Sequence, residues 1–441
     1  MEVTLDVRLD GFDEPVGHLV GDAYGAIAFA YARRYLAREE AMALSLSLPL
    51  AEAPYGDVAA RAYFDNLLPE RDTARSDIIA RYGLGNDDVA GILFHLGKDC
   101  PGAISVLPEG APAAKLPGDL ARDYRALDDR ELGDIIEALH ARAPLPGAVQ
   151  DPSPLAGVQS KIALTRLPDG RFAEPLPGSG APTTHILKVP DHRHRHDAAH
   201  EHAAMALSRT AGFPTAATSL LAIKDIPVLV IERFDRTRDE DGRIRRRHQE
   251  DFCQALGLAA RQKYERGGSG GRRYCAEAIG GILDRTIDPI AEKQRFVEIT
   301  LFDLLIGNVD GHAKNFSLFH LPGGRLVTTP RYDVMPTLLD RGTTDEFAYR
   351  IGEARDMEAL TPTQFDGFLV ALGFTSAGGR RRLTNRLVTS TLQMLDGQIA
   401  AMHGAGSKNF ADLIATQIRT LTRNFGIETP PVAAGRDTFV R

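Results

Sequence analysis

The chain has no tryptophan and only three cysteines in 441 residues, Cys100, Cys253 and Cys275, widely spaced and without a Cys-x-x-Cys pair. That excludes a disulfide framework and a zinc knuckle and fits a reducing compartment. Long apolar runs are missing as well: none approaches the ~20 residues needed to span a bilayer. The N-terminus MEVTLDVRLDG alternates apolar with polar residues, unlike a signal peptide. A cytoplasmic protein with no membrane partner is expected. Positive charge is not in excess either. The formal net charge of -7 excludes a surface that is a nucleic-acid footprint throughout and leaves only local basic patches, such as RIRRRH at 243–248. That run follows RDEDG and also reads as the solvated second strand of an exposed hairpin.

What is present is an ordinary globular composition, 43% hydrophobic and 25% charged, which rules out wholesale disorder. The length exceeds what one hydrophobic core supports, so two or three domains are expected. The first, residues 1–110, reads as an α+β unit: strands VTLDV, AIAFAYA and LSLSLPL, a helix over VAARAYFDNLLPE, and a strand AISVLPEG. A Pro- and Ala-rich loop at 108–119 and an amphipathic helix around LDDRELGDIIEALHARA lead to a second part, 145–236. There KIALTRL, RFAEP, THILKVP, SLLAI and IPVLVIERF read as strands, interrupted by one helix from about Ala198 to Thr210. From 237 to 430 the pattern is mostly helical, beginning with HQEDFCQALGL and ending in three helical stretches after Thr361. The fold class expected is α+β, a β-rich lobe followed by a helical lobe.

The chemistry concentrates in NVDGHAKNF, 308–316, where Asp310 and Asn315 have the D-x-x-x-x-N spacing of the protein-kinase catalytic loop. In that loop the aspartate receives the proton of the attacking hydroxyl and the asparagine binds Mg²⁺. A second ligand follows. NFSLFH, LPGG and RLVTTP read as strand, turn and strand, running ~20 Å out and ~20 Å back at ~3.3 Å per residue, so Asp333 returns close to Asn315. An Asn and an Asp so placed suit a hard cation between ATP phosphates. Lys188, inside the strand THILKVP, is the candidate cation for those phosphates, although an edge or snorkelling lysine looks the same in sequence. Glu201 either pairs with it or simply favours a helix start. LAGVQSK, 155–161, is the candidate phosphate loop, with a single glycine, and Glu232, Arg233 and Phe234 end the strand where an adenine would meet backbone groups and an apolar wall.

LAGVQSK, TTHILKVP, VIERFDR, QEDFCQ, IGNVDGHAKNFSLF and the Tyr-Asp of RYDVMP occur in the order seen in HipA-like serine/threonine kinases, the toxins of bacterial toxin–antitoxin pairs. ALSLSLPL, YFDNLLPE and GAISVLPEG resemble the N-terminal subdomain of the same family, so the resemblance covers nearly the whole chain. It implies a two-lobed protein-kinase-like fold with Asp310 as catalytic base and Asn315 and Asp333 holding Mg²⁺. ATP would be bound by Ala156, Gly157, Val158, Gln159, Ser160, Lys161, Lys188, Glu232, Arg233, Phe234, His312, Ala313, Lys314, Asn315, Tyr332 and Asp333. The resemblance further implies a protein substrate that is an aminoacyl-tRNA synthetase, glutamyl-tRNA synthetase first. Growth arrest and persistence would follow, with neutralisation by a HipB-like helix-turn-helix antitoxin through which operator DNA is mainly contacted. One departure stands out. The family is silenced by phosphorylation of a serine two residues before the Ala-Gly, and Pro154 occupies that position, leaving Ser153 and Ser160 as candidates.

Two other enzyme and metal readings are weaker on their residues. GNVDGH resembles the GNH turn of metallophosphatases, but Val309 replaces the required histidine and no upstream D-x-H motif exists. The tract DHRHRHDAAHEH, with His192, His194, His196, His200 and His202, lacks a convincing acid or thiol partner and straddles a loop. A catalytically silent co-repressor of the antitoxin is the alternative outside enzymes; against it, base, metal ligands and lysine are all of the required type.

Overall fold

The structure, a computed structural model, describes residues 2–69, 73–85, 87–143, 145–146, 160–269, 271–340, 342–404 and 407–427. The chain forms two compact units, one of residues 1–274, 281–292 and 312–335, the other of 275–280, 293–311 and 336–441.

The first unit opens with strands β1 (Val3–Leu9), β2 (Gly17–Gly21) and β3 (Ile27–Tyr31), which with β4 (Ile104–Pro108) form an antiparallel sheet ordered β3-β2-β1-β4. Alternation along β1 sends Leu5, Val7 and Leu9 into a core shared with Phe29, Tyr63, Phe64 and Ile92. The stretch LSLSLPL is not a strand. Its alternation mimics period two, yet the chain turns, with only an isolated bridge from Ser45 to Leu48. Glu250 is the cause: Ser45 Oγ and the Leu46 amide donate to its carboxylate, at 2.5 and 3.0 Å.

A second sheet is built from β5 (Tyr124–Ala126), β6 (Lys161–Arg166), β7 (Phe172–Pro175), β8 (His185–Lys188), β9 (Thr218–Ile223) and β10 (Ile226–Glu232), in the order β5-β7-β6-β8-β10-β9. The helix Asp129–His140, started by a capping box of Asp128 and Glu131, joins its apolar face to this sheet through Ile135, Ile136, Leu139, Leu187 and Val228.

The basic run 243–248 forms a hairpin, β11 (Arg236–Arg238) with β12 (Ile244–Arg246), but is not wholly solvated. Arg246 keeps 1% of its side chain exposed and donates to both Asp10 oxygens and to Asp99 Oδ1. Directly after it, β13 (Gln249–Asp251) pairs with β14 (Ser317–Leu321), and β14 with β15 (Arg325–Thr328). QED is therefore a strand rather than the start of a helix; the helix that follows, Phe252–Ala255, is one turn capped by Asp251.

In the second unit the helices Pro362–Ala371, Ala377–Gly404 and Lys408–Phe425 fall where the helical periodicity places them. The last buries Phe410, Ile414, Ile418 and Leu421 and stops at Gly426, whose φ of 63° is a left-handed helix end. Among the described residues no helix is long and apolar enough to cross a membrane.

Candidate nucleotide site

Lys188 ends β8, where register sets it opposite Leu229 on β10 and Lys161 on β6. Two lysines thus share one end of the sheet. The Lys188 side chain is 12% exposed, and its ammonium donates to Glu201 Oε1 at 2.8 Å and Asp333 Oδ1 at 2.5 Å. Burial works against its charge, but these two carboxylates outweigh burial and raise its pKa. Glu201 comes from the helix Asp197–Thr210, whose buried face is Ala198, Glu201, Ala204, Met205 and Ser208. For Glu201 the balance is reversed: burial raises its pKa despite Lys188. The pairing, and not a helix-start preference, accounts for this residue.

Asp333 arrives by the expected hairpin. β14 and β15 are joined by a turn over Pro322–Gly324 with Gly323 at φ 76°, and Leu318 pairs with Thr328. Asp333 itself has φ 56°, a left-handed conformation uncommon for a residue with a side chain and more accessible to Asp than to most. Its carboxylate is held strongly acidic by Lys188, while 45% of the side chain is exposed. Tyr332 donates its hydroxyl to the Lys314 carbonyl at 2.8 Å and accepts from Ser317 at 2.5 Å. The residue before Asp333 is thereby tied to the residue before Asn315.

Among the described residues no three His, Cys, Asp or Glu side chains are grouped to hold a metal. The donor set that is present, one ionised carboxylate and one amide on bonded neighbours, fits a hard cation completing its shell from phosphate and water, as Mg²⁺ does.

The other site residues divide. Lys161 lowers the pKa of Asp333 from its place across β6, and the Ser160 carbonyl accepts from the Val189 amide at 2.9 Å. Ala156, Gly157, Val158 and Gln159, with Ser153, lie outside the described residues. The amides of Glu232 and Arg233 donate to Ala217 and Thr184 carbonyls, and the Arg233 guanidinium is turned onto Asp235. Phe234 supplies an aromatic wall, its ring 5.3 Å from that of Tyr332 and 5.8 Å from that of Phe319. Ala313 is pinned by its amide to the Lys263 carbonyl. The Lys314 ammonium points to Asn66 and Asp251, at 3.0 and 2.8 Å.

Several buried side-chain polar atoms lack a hydrogen-bond partner among the described residues, His312 Nδ1 in the expected site among them. Burial and the nearby Lys263 push His312 down to about 3, so it is neutral at physiological pH.

Asp310 belongs to the second unit. It follows the helix Pro289–Ile306 and Gly307, whose φ is 73°, and its amide donates to Asn308 Oδ1 at 3.3 Å. Along the chain it stands two residues before His312.

Comparison with known proteins gives consistent matches. Residues 5–107 match the family model of the HipA N-terminal domain and 153–399 that of the HipA-like C-terminal domain. The chain is 34% identical to the putative kinase Y4mE of Sinorhizobium fredii, over 93% of this chain and 96% of that protein. It is 29% identical to the serine/threonine-protein kinase toxin HipA of Shewanella oneidensis, over 84% of each. A solved complex of Shewanella oneidensis HipA with HipB and operator DNA superposes with a TM-score of 0.76 at 25% identity, covering 96% of this chain and 97% of that one.

Proposed function

Since the chain belongs to the HipA family and has its two-lobed, kinase-like α+β fold, we propose that it is an active serine/threonine-protein kinase toxin. It transfers the γ-phosphate of Mg-ATP to a hydroxyl of a protein substrate. The observation that carries this reading is the buried lysine bridged to Glu201 and Asp333. A cation held between a helix carboxylate and a half-exposed, ionised aspartate is the arrangement that kinases use to align phosphates.

In this reading Lys188 and Lys161 neutralise the phosphates, Phe234 and the backbone around it receive the adenine, and the unpartnered His312 Nδ1 bonds the nucleotide. Asn315 and Asp333 hold Mg²⁺, which supplies charge neutralisation at the phosphate oxygens. Asp310 accepts the proton of the substrate hydroxyl as its oxygen bonds to the γ-phosphorus and the bond to ADP breaks. The substrate is an aminoacyl-tRNA synthetase, glutamyl-tRNA synthetase first, and the consequence is growth arrest and persistence in the cytoplasm. A HipB-like helix-turn-helix antitoxin neutralises the toxin and carries most of the contact with operator DNA; a relative of this chain has been solved in such a complex.

The test is labelled γ-phosphate transfer into a lysate containing the synthetases, comparing wild type with Asp310→Ala. The variant should lose ~10²-fold to ~10⁴-fold in transfer while still binding ATP. A label that is absent from both proteins despite ATP binding would replace the kinase reading with that of a co-repressor.

A further inference from the structure

We propose that Asn66, in the N-terminal segment, is a positioning residue for the metal-binding end of the site, acting through Lys314; the inference rests on the kinase reading of Asn315 and Asp333. Asn66 lies in the single 3₁₀ turn Asp65–Leu67 that follows the helix Asp57–Phe64, and is 3% exposed. Its amide nitrogen donates to the Ala62 carbonyl at 2.8 Å and the Leu258 carbonyl at 2.9 Å. With both donors used, the amide orientation is decided, since a flipped amide would turn N–H groups onto an ammonium. Asn66 Oδ1 therefore faces Lys314 Nζ at 3.0 Å, and the Asn66 carbonyl oxygen accepts from the same ammonium at 3.2 Å. Asp251 Oδ2, at 2.8 Å, is a further acceptor.

Lys314 is thus clamped at both ends. Its ammonium, 6% exposed as a side chain, is ringed by at least these three acceptors, and its carbonyl receives the Tyr332 hydroxyl. Asn315 follows Lys314 and Asp333 follows Tyr332 in the chain. The relative placement of the two metal-ligand candidates is set across the Lys314–Tyr332 bond, and the position of Lys314 is set by Asn66. A residue 248 positions away in sequence consequently fixes the register of the phosphate end, although it touches neither nucleotide nor metal.

The experiment uses the full chain with Asn66→Ala, Lys314→Met and the double substitution, with Arg34→Ala at an exposed ion pair as control. Three quantities are read: amide hydrogen exchange at 313–316, the Mg²⁺ concentration for half-maximal ATP binding, and kcat against KM for transfer. Loss of a hydrogen bond to a charged group predicts a change of about tenfold in the Mg²⁺ requirement and in kcat. Exchange should be faster and KM for ATP nearly unchanged. On the Lys314→Met background Asn66→Ala should add nothing. Should Asn66→Ala not fold, Asn66→Ser, which keeps a hydroxyl toward the ammonium, takes its place with the same expectations in weaker form. Wild-type exchange and Mg²⁺ dependence in a folded Asn66 variant would overturn the proposal, as would effects that add in full to those of Lys314→Met. A wild-type protein inert toward every substrate would sink the kinase reading alone, because exchange and Mg²⁺-dependent nucleotide binding are measured without transfer.

Discussion

Arg246 and Lys188 are both cations withdrawn from water, with 1% and 12% of their side chains exposed, and both contact two carboxylates. Their surroundings differ. Arg246 sits in a crowded network, with Asp10, 29% exposed, and with buried Asp99, which Lys115 and Arg236 also contact; Arg233 and Arg236 enclose Asp235, whose remaining acceptor capacity takes the Gly102 amide. Burial would raise Asp235, yet its guanidinium neighbours hold it down to about 2. Around Lys188 one carboxylate is buried and the other, Asp333, stays half exposed on a left-handed backbone. The first arrangement joins β4, the hairpin and the N-terminal strand; the second leaves an ionised oxygen open to a ligand. Burial of charge alone does not mark a functional site, whereas a buried pair with one open face and a strained backbone does.

This contrast predicts opposite outcomes for the two cations. Lys188→Met should cost ~10²-fold to ~10³-fold in phosphate transfer, as loss of a preorganised cation does, with a melting temperature near wild type. The fold tolerates it because burial already favours the neutral form of Glu201, which takes up a proton instead of standing as an unpaired charge. Arg246→Met should do the reverse: it removes the guanidinium between Asp10 and Asp99, leaving Asp99 to Lys115 and Arg236, and should destabilise by ~1.5–3 kcal/mol in denaturant titration, while the folded fraction keeps its turnover. Asp333→Ala should raise the Mg²⁺ needed for nucleotide binding by about tenfold, the loss of one charge-assisted ligand, measurable by calorimetry. The last effect concerns acid. Burial and the adjacent His320 push His248 down to about 3. The unfolded chain binds that proton below ~6.5, so stability falls as pH drops from there toward 3. In His248→Gln the decline should be shallower by up to about 1.4 kcal/mol per pH unit. Equal slopes in both proteins would show that His248 is protonated in the fold.

Much of this is legible in the amino-acid sequence. The alternating strands of the second sheet, the hairpin that returns Asp333, and the cations at 188 and 161 follow from period two and turn residues. What stays hidden depends on contacts distant along the chain. LSLSLPL alternates like a strand, but Glu250 folds it into a turn. QED is too short for periodicity to separate it from the helix that follows, and only pairing with β14 makes it extended. Glu201 does carry a signal: it stands in the same helical stripe as Ala198, Met205 and Ser208, where a buried carboxylate calls for a cation or a proton. Lys314 carries none, since its partner Asn66 is in another segment of the family architecture. The left-handed backbone of Asp333 likewise has no mark in the residues around it.

The ion pairs of Arg246 with Asp10 and Asp99 have a consequence for heredity. They cross between the two matched segments, 5–107 and 153–399. A recombinant that took its first segment from one relative and its second from another would inherit a buried guanidinium from one parent and its carboxylates from the other. Parents that differ at positions 10, 99 or 246 would yield a less stable offspring. The two segments are therefore expected to travel together through genomes as one heritable piece.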